Sequence, residues 1–209
     1  ALADWKIAHT LTGEYFCPII HDITLNATQA VIESAESIKN GDIIAYEKLT
    51  YGLLMSGLAM QLLGNSRCAS GAEHHISHLI EMHPDGLNLK SDALHGEKVG
   101  VGTLLAVAEY HAIKNNSSIR WTQYPDINNN EIQLIFGERL AESIISENSN
   151  NCASGIDEKI LLARWKKICE IIDTIPTYDE LLCKYKMIGA KASLSDIDVD
   201  EDKLSALVA

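Results

Sequence analysis

The stretch "SGAEHHISHLIEMHPDG" (Ser70–Gly86) carries four histidines, His74, His75, His78 and His83, between a Ser-Gly start and a Pro-Asp-Gly stop. Apolar residues between those signals recur at helical spacing, which predicts a helix from Gly71 to about His83. Ser70 and Glu73 stand three apart, the spacing of an N-terminal capping box. On such a helix His74 and His78 lie one above the other on one face, while His75 is turned about 100° away. Twelve residues beyond His83 comes "LHGEKVGVGT" (Leu94–Thr103), with a fifth histidine beside a glycine and a glutamate.

The same period runs outward in both directions. "LNATQAVIESAESIKNGD" (Leu25–Asp42) reads as a helix with Asn26 or Thr28 as an early cap. "DIIAYEKLTYGLLMSGLAMQLLGNS" (Asp42–Ser66) reads as a long, mostly buried helix ending at Gly64-Asn65. Further helices are expected from Asp92 to about Lys114, in "ERLAESIISE", in "DEKILLARWKKICEIIDTI" and in "TYDELLCKYKMIG", where Thr177 and Glu180 have capping-box spacing. An irregular stretch, Asn115–Asn130, and the polar "SENSNN" run interrupt them. No strand–glycine turn–helix unit of a nucleotide-binding βαβ fold is legible, so the expected class is all-α, in one domain spanning residues 1–209.

With 46% hydrophobic and 22% charged residues, the 209-residue chain has the composition of a globular protein with its own core. A formal net charge of -12 repels polyanions, so neither nucleic acid nor an anionic membrane is an expected partner. A small phosphorylated substrate needs only a local positive pocket. Five scattered cysteines without a CxxC pair suggest reduced thiols and a cytoplasmic location.

Ser70 and Glu73 are explained by capping, and Gly100 and Gly102 by close helix contact. "GVGT" makes a poor nucleotide fingerprint without a preceding strand. A pair of stacked histidines plus His95 on a second helix supplies part of a catalytic metal site, which usually takes three protein ligands. The pattern is not HExxH. A third ligand is not singled out by spacing; Asp4, Asp22 and Glu97 qualify by residue type alone. Arg67 is a candidate clamp for a substrate phosphate and Lys98 a second, each also readable as an ordinary solvated cation. The acidic "SDIDVDEDK" (Ser195–Lys203) reads as a solvated face and cap, and Trp5, Trp121 and Trp165 as core or interface residues.

Taken together, "GNSRCASGAEHHISHLIEMH" (Gly64–His83) and "LHGEKVGVGTLLA" (Leu94–Ala106) resemble the metal-binding half of sn-glycerol-1-phosphate dehydrogenases. These belong to the superfamily of dehydroquinate synthase, glycerol dehydrogenase and iron-containing alcohol dehydrogenase. "ALADWKIAH", "GEYFCP" and "TYDELLCKYKMIGA" resemble the bacterial branch, and Cys68 departs from it where proline is common. The resemblance implies a C-terminal helical domain of the dehydroquinate synthase-like fold. It implies His74 and His95 as metal ligands and His78 as a proton relay. Zinc is the expected ion, with nickel or iron compatible with the same ligands. The implied reaction is NAD(P)H-dependent reduction of dihydroxyacetone phosphate to sn-glycerol 1-phosphate. In the family the dinucleotide is held by an N-terminal α/β domain, and the third ligand is an aspartate of a Gly-x-Gly-Asp stretch lying upstream of the match to "ALADW". Neither is legible here, so the isolated chain is expected to fold, to be inactive and to associate with a second copy through an exposed, partly apolar domain face. A dehydroquinate synthase-like lyase, or a stand-alone helical metal-binding module, are the alternatives.

Overall fold

The computed structural model describes residues 1–116, 128–149 and 152–208. Expectations about Trp121, most of the irregular stretch after Asn116 and the end of the "SENSNN" run lie outside these residues. The described residues contain helices and no strand. In chain order the helices are α1 (Leu2–Thr12), α2 (Pro18–Glu33), α3 (Ala35–Lys39), α4 (Ile43–Leu63), α5 (Ala72–Met82), α6 (His95–Asn115), α7 (Asn129–Asn148), α8 (Glu158–Ile172), α9 (Tyr178–Ile188) and α10 (Leu204–Val208). The all-α expectation holds, and it is the architecture of a helical domain of the implied kind.

Local chemistry places most of the ends. Thr177 and Glu180 form the expected capping box of α9, and Asp157 caps α8 by accepting from the Ile160 amide at 2.8 Å. Gly64 ends α4 in the left-handed region (φ 80), where glycine carries no steric penalty. Helix α2 begins earlier than its sequence pattern suggests, at Pro18 after Cys17, because proline suits a first helical position. Thr28 is therefore internal, donating to the Thr24 carbonyl at 2.9 Å.

Helix α4 is not mostly buried. Only Ala45, Gly52 and Ala59 are fully enclosed, against α2 and its neighbours, while Ile44, Tyr51, Leu54, Leu58 and Leu62 face outward. The acidic tail is likewise more than a solvated face. Leu194, Ile197, Val199 and Leu207 fold back into the cluster built on Ile76, Ile80, Leu89 and Val101. Alternation explains it: the acidic residues point out and every second residue points in. Trp5 anchors a second cluster with Ile20, Ala59 and Cys68, its indole donating to the Tyr15 carbonyl at 2.7 Å. A third joins Leu104 and Val107 of α6 to Leu181 of α9.

The pair that positions the site is α5 against α6. A methyl added at Gly102 of α6 would lie 2.6 Å from the Glu73 carbonyl oxygen of α5, so the two backbones touch there. Ser77, fully buried, fills the same seam.

Candidate metal centre

Helix α5 starts at Gly71, and Ser70 makes no side-chain cap bond. The amides at the helix start are instead satisfied by carboxylates. Glu73 accepts from the Gly71 amide at 3.0 Å, and Asp4 of α1 reaches across to accept from the Ala72 amide at 2.8 Å. Glu73 also meets the Ala1 ammonium at 2.9 Å. Burial by itself would raise the Glu73 carboxyl, but the ammonium and hydrogen bonds from His74 and its own surroundings outweigh that and lower it to about 2.

One turn on, the close approach at Gly102 brings the start of α6 beside α5. The His74 ring lies 5.6 Å from that of His95 and 6.1 Å from that of His78, and His78 and His95 are 5.5 Å apart, centroid to centroid. Glu81 closes the group. It stands at i+7 from His74 and i+3 from His78, and so on the same face of α5. Its carboxylate meets His95 Nδ1 at 3.0 Å, His78 Nδ1 at 3.3 Å and Lys98 Nζ at 3.8 Å. Burial works to raise the Glu81 carboxyl, and the His95 hydrogen bond with the charges of His95 and Lys98 overcomes this and holds it below the usual range.

All three imidazoles offer Nδ1 to a carboxylate, His74 to Glu73 at 3.0 Å and the other two to Glu81. An ionised carboxylate only accepts, so Nδ1 carries the hydrogen, and in the neutral ring Nε2 is then the nitrogen with a lone pair, the arrangement that orients metal-ligating histidines. His78, Glu81 and His95 place one donor atom each within 4.8 Å of one another. Tetrahedral zinc with bonds of 2.0–2.1 Å needs separations of about 3.3 Å, within reach of side-chain rotation. Two or three imidazoles and a carboxylate thus fit a borderline divalent ion. His78 and His95 are half-exposed, which leaves an open side to the group.

Of the residues singled out in the sequence, the fold gathers His74, His78, His95 and Lys98. Lys98 is buried, with its ammonium directed to Glu81. The Arg67 guanidinium is turned to Glu14, with Nε and Nη2 at 3.0 and 3.3 Å from its two oxygens. Asp4, Asp22 and Glu97 are engaged elsewhere: Asp4 on the α5 amides, Asp22 on His21, and Glu97 on the Leu94 amide. His75 is exposed, and His83 contacts the Leu89 carbonyl at 2.9 Å, holding the turn after α5. Glu81 is the residue that sequence reasoning missed, although the i, i+4, i+7 series His74, His78, Glu81 was there to be read.

No family model matches the chain. Among characterised proteins, it is 42% identical over 113 residues to "Glycerol-1-phosphate dehydrogenase [NAD(P)+]" of Geobacillus thermodenitrificans, a match covering 54% of this chain and 28% of that protein. The protein of the same name from Pyrococcus horikoshii is 42% identical over 113 residues, 54% of this chain and 31% of that one. The Geobacillus stearothermophilus protein is 40% identical over 114 residues, again 54% of this chain and 28% of the relative. The chain therefore spans only about three-tenths of the length of the relatives it matches. Over about half its own length, this chain is a homologue, at about 40% identity, of bacterial and archaeal oxidoreductases named glycerol-1-phosphate dehydrogenase [NAD(P)+].

Proposed function

We propose that residues 1–209 form the metal-binding C-terminal domain of an sn-glycerol-1-phosphate dehydrogenase, acting on dihydroxyacetone phosphate with NAD(P)H. The observation that carries this reading is the convergence of His74, His78 and His95, with Glu81, from two helices onto one half-open point, in a chain similar to enzymes of that name. His74 and His95 are the proposed ligands through Nε2, with Glu81 on His95 Nδ1 holding that ring in place. Zinc is the first choice, and nickel or iron(II) suit the same donors. When bound, such an ion supplies Lewis-acid polarisation of the substrate carbonyl.

The chain's own residues do the rest. His78 lies one turn from His74 on the open side and would deliver the proton to the oxygen at C2, while NAD(P)H, when bound, would supply the hydride to that carbon. General acid catalysis of this kind contributes about 10²–10⁴-fold. Lys98 contacts the site and is the proposed phosphate partner. Arg67 serves the same phosphate only by exchanging the Glu14 carboxylate for it. The dinucleotide is held by residues outside these 209, so the isolated chain binds metal without turning over. The proposed setting is cytoplasmic, where scattered free thiols persist. No helix among the described residues is long and apolar enough to cross a membrane.

Zinc titration by calorimetry tests the reading on this chain directly. The wild-type protein should take up one ion, His95→Ala should lose it, and His78→Asn should retain it. Equal zinc affinity in wild type and His95→Ala would remove the metal assignment.

A further inference from the structure

Among the described residues, the non-glycine positions with left-handed backbone are His83 (φ 48), Asn88 (φ 49) and Asp198 (φ 60). Such backbone is costly for a residue with a side chain and persists where the surroundings over-determine it, as binding sites do. His83 and Asn88 belong to the connection between α5 and α6, and Asp198 to the acidic tail. The two segments share one buried cluster, through Leu89 on one side and Leu194, Ile197 and Val199 on the other. Between them opens a cleft of about 520 Å³, lined by His83, Lys90, Ser91, Asp92 and Asp198. That volume lies in the range of small-molecule sites.

The groups on its walls are held by fixed backbone. Lys90 stands between buried Leu89 and Ser91, and Asp198 between buried Ile197 and Val199, so each charge is presented from a pinned stretch of chain. The Asp198 amide donates to the Ser195 carbonyl at 3.3 Å, and the Val199 amide to that of Leu194 at 3.0 Å. A carbonyl only accepts, so His83 Nδ1 donates to Leu89 at 2.9 Å, and Nε2 is left for a ligand. The Ser91 hydroxyl accepts from the Ala93 amide at 3.3 Å and keeps its own hydrogen to donate.

The side chains of Lys90, Asp92 and Asp198 are exposed and make no hydrogen bond or ion pair among the described residues. One cation and two carboxylates therefore line a single space without neutralising each other. An anion alone would meet two aspartates there, and a cation alone would meet the lysine. A molecule carrying both charges is complementary to all three. We propose that this cleft binds a small zwitterion of the amino-acid class, its carboxylate on Lys90 and Ser91 and its ammonium on Asp92 and Asp198. The cleft shares no residue with the proposed metal centre, so either assignment can fail alone.

NMR chemical-shift titration of the zinc-free chain tests this, with β-alanine, γ-aminobutyrate and ε-aminocaproate as probes of increasing length. At least one should shift the amides of Lys90, Asp92 and Asp198 saturably, with a Kd in the millimolar range. Butyrate and butylammonium carry one charge each and should bind about tenfold more weakly, or worse. Lys90→Ala and Asp198→Asn should each weaken the zwitterion about tenfold. Asparagine tolerates left-handed backbone, so the second variant keeps the turn. Lys159→Ala on α8 and His95→Ala should bind the probe as the wild type does. No saturable shift from any probe up to about 50 mM overturns the proposal. So do single-charge analogues that bind as tightly as the zwitterions, or binding indifferent to both Lys90→Ala and Asp198→Asn.

Discussion

Helices α4 and α6 are both 21 residues long and both contain glycines, yet the more apolar of the two is the less buried. Helix α6 encloses Val101, Leu104 and Val107, and even its Lys98, because α5, α8 and α9 pack on its sides. Helix α4 encloses three small residues on one side and leaves its leucines and tyrosines in water. Apolar content says that a face will be covered, and only the packing says by what. Around α6 the cover is intramolecular, and its buried charges are paired. On α4 those leucines and tyrosines stay exposed.

The comparison breaks most easily at the α5–α6 contact. Gly102→Val forces a branched side chain against the Glu73 carbonyl, and overpacking of this kind costs about 1–3 kcal/mol or more. Ile80→Ala, in the fully buried cluster beside it, should cost about 2–5 kcal/mol. Urea unfolding should rank both far above any single truncation on α4. Gly102→Val should also weaken zinc binding by parting His95 from α5, whereas Ile80→Ala should lower stability with the affinity retained.

Zinc should stabilise the wild-type chain by about 2.7 kcal/mol at a hundredfold excess over its dissociation constant. That increment should vanish in His95→Ala, as read by thermal unfolding with and without zinc. A Leu62→Ala variant on α4 should keep all of it, because that side chain lies exposed and away from the histidines.

Glu73 predicts the acid behaviour of the α5 start. Its folded value of about 2 lies below the ordinary 4.5, so the charged form stabilises the fold. That contribution is fully present above about pH 4.5 and fades as pH falls toward 2. Scaled at 1.36 kcal/mol per pKa unit it amounts to at most about 3.4 kcal/mol. The stability gap between wild type and Glu73→Gln should therefore close as pH drops through that window, and a gap independent of pH would remove the ionic account. Smallest of all, Leu62→Ala should change monomer stability by about 0.5 kcal/mol or less, since a side chain already in water loses little.

Local pattern carried far where the deciding interactions lie within a turn or two. The α9 capping box needs only Thr177 and Glu180, the α4 terminus needs only Gly64, and the shared face of His74 and His78 follows from the helical period. The close contact expected at Gly102 also holds, because a glycine in an otherwise good helix marks a place where something approaches. Pattern failed where a distant segment competes. Ser70 looked like the α5 cap, but Asp4, brought over by α1, takes an amide at that helix start instead. The acidic tail looked solvated, but Ile197 and Val199 are drawn into a core built some hundred residues earlier in the chain.

What the sequence determined by itself was the helical class, His74 and His78 on one face with His95 on a second helix, and the resemblance that gave them a chemistry. Periodicity and capping act over a few residues and are written in order along the chain. What only the tertiary structure decided was that Glu81 joins His78 and His95, that Arg67 turns to Glu14, and that α4 leaves most of its large apolar residues exposed. Each of those outcomes depends on which of several similar surfaces packs best. That is a competition between segments far apart in sequence, settled by the close fit of α5 on α6 at one glycine.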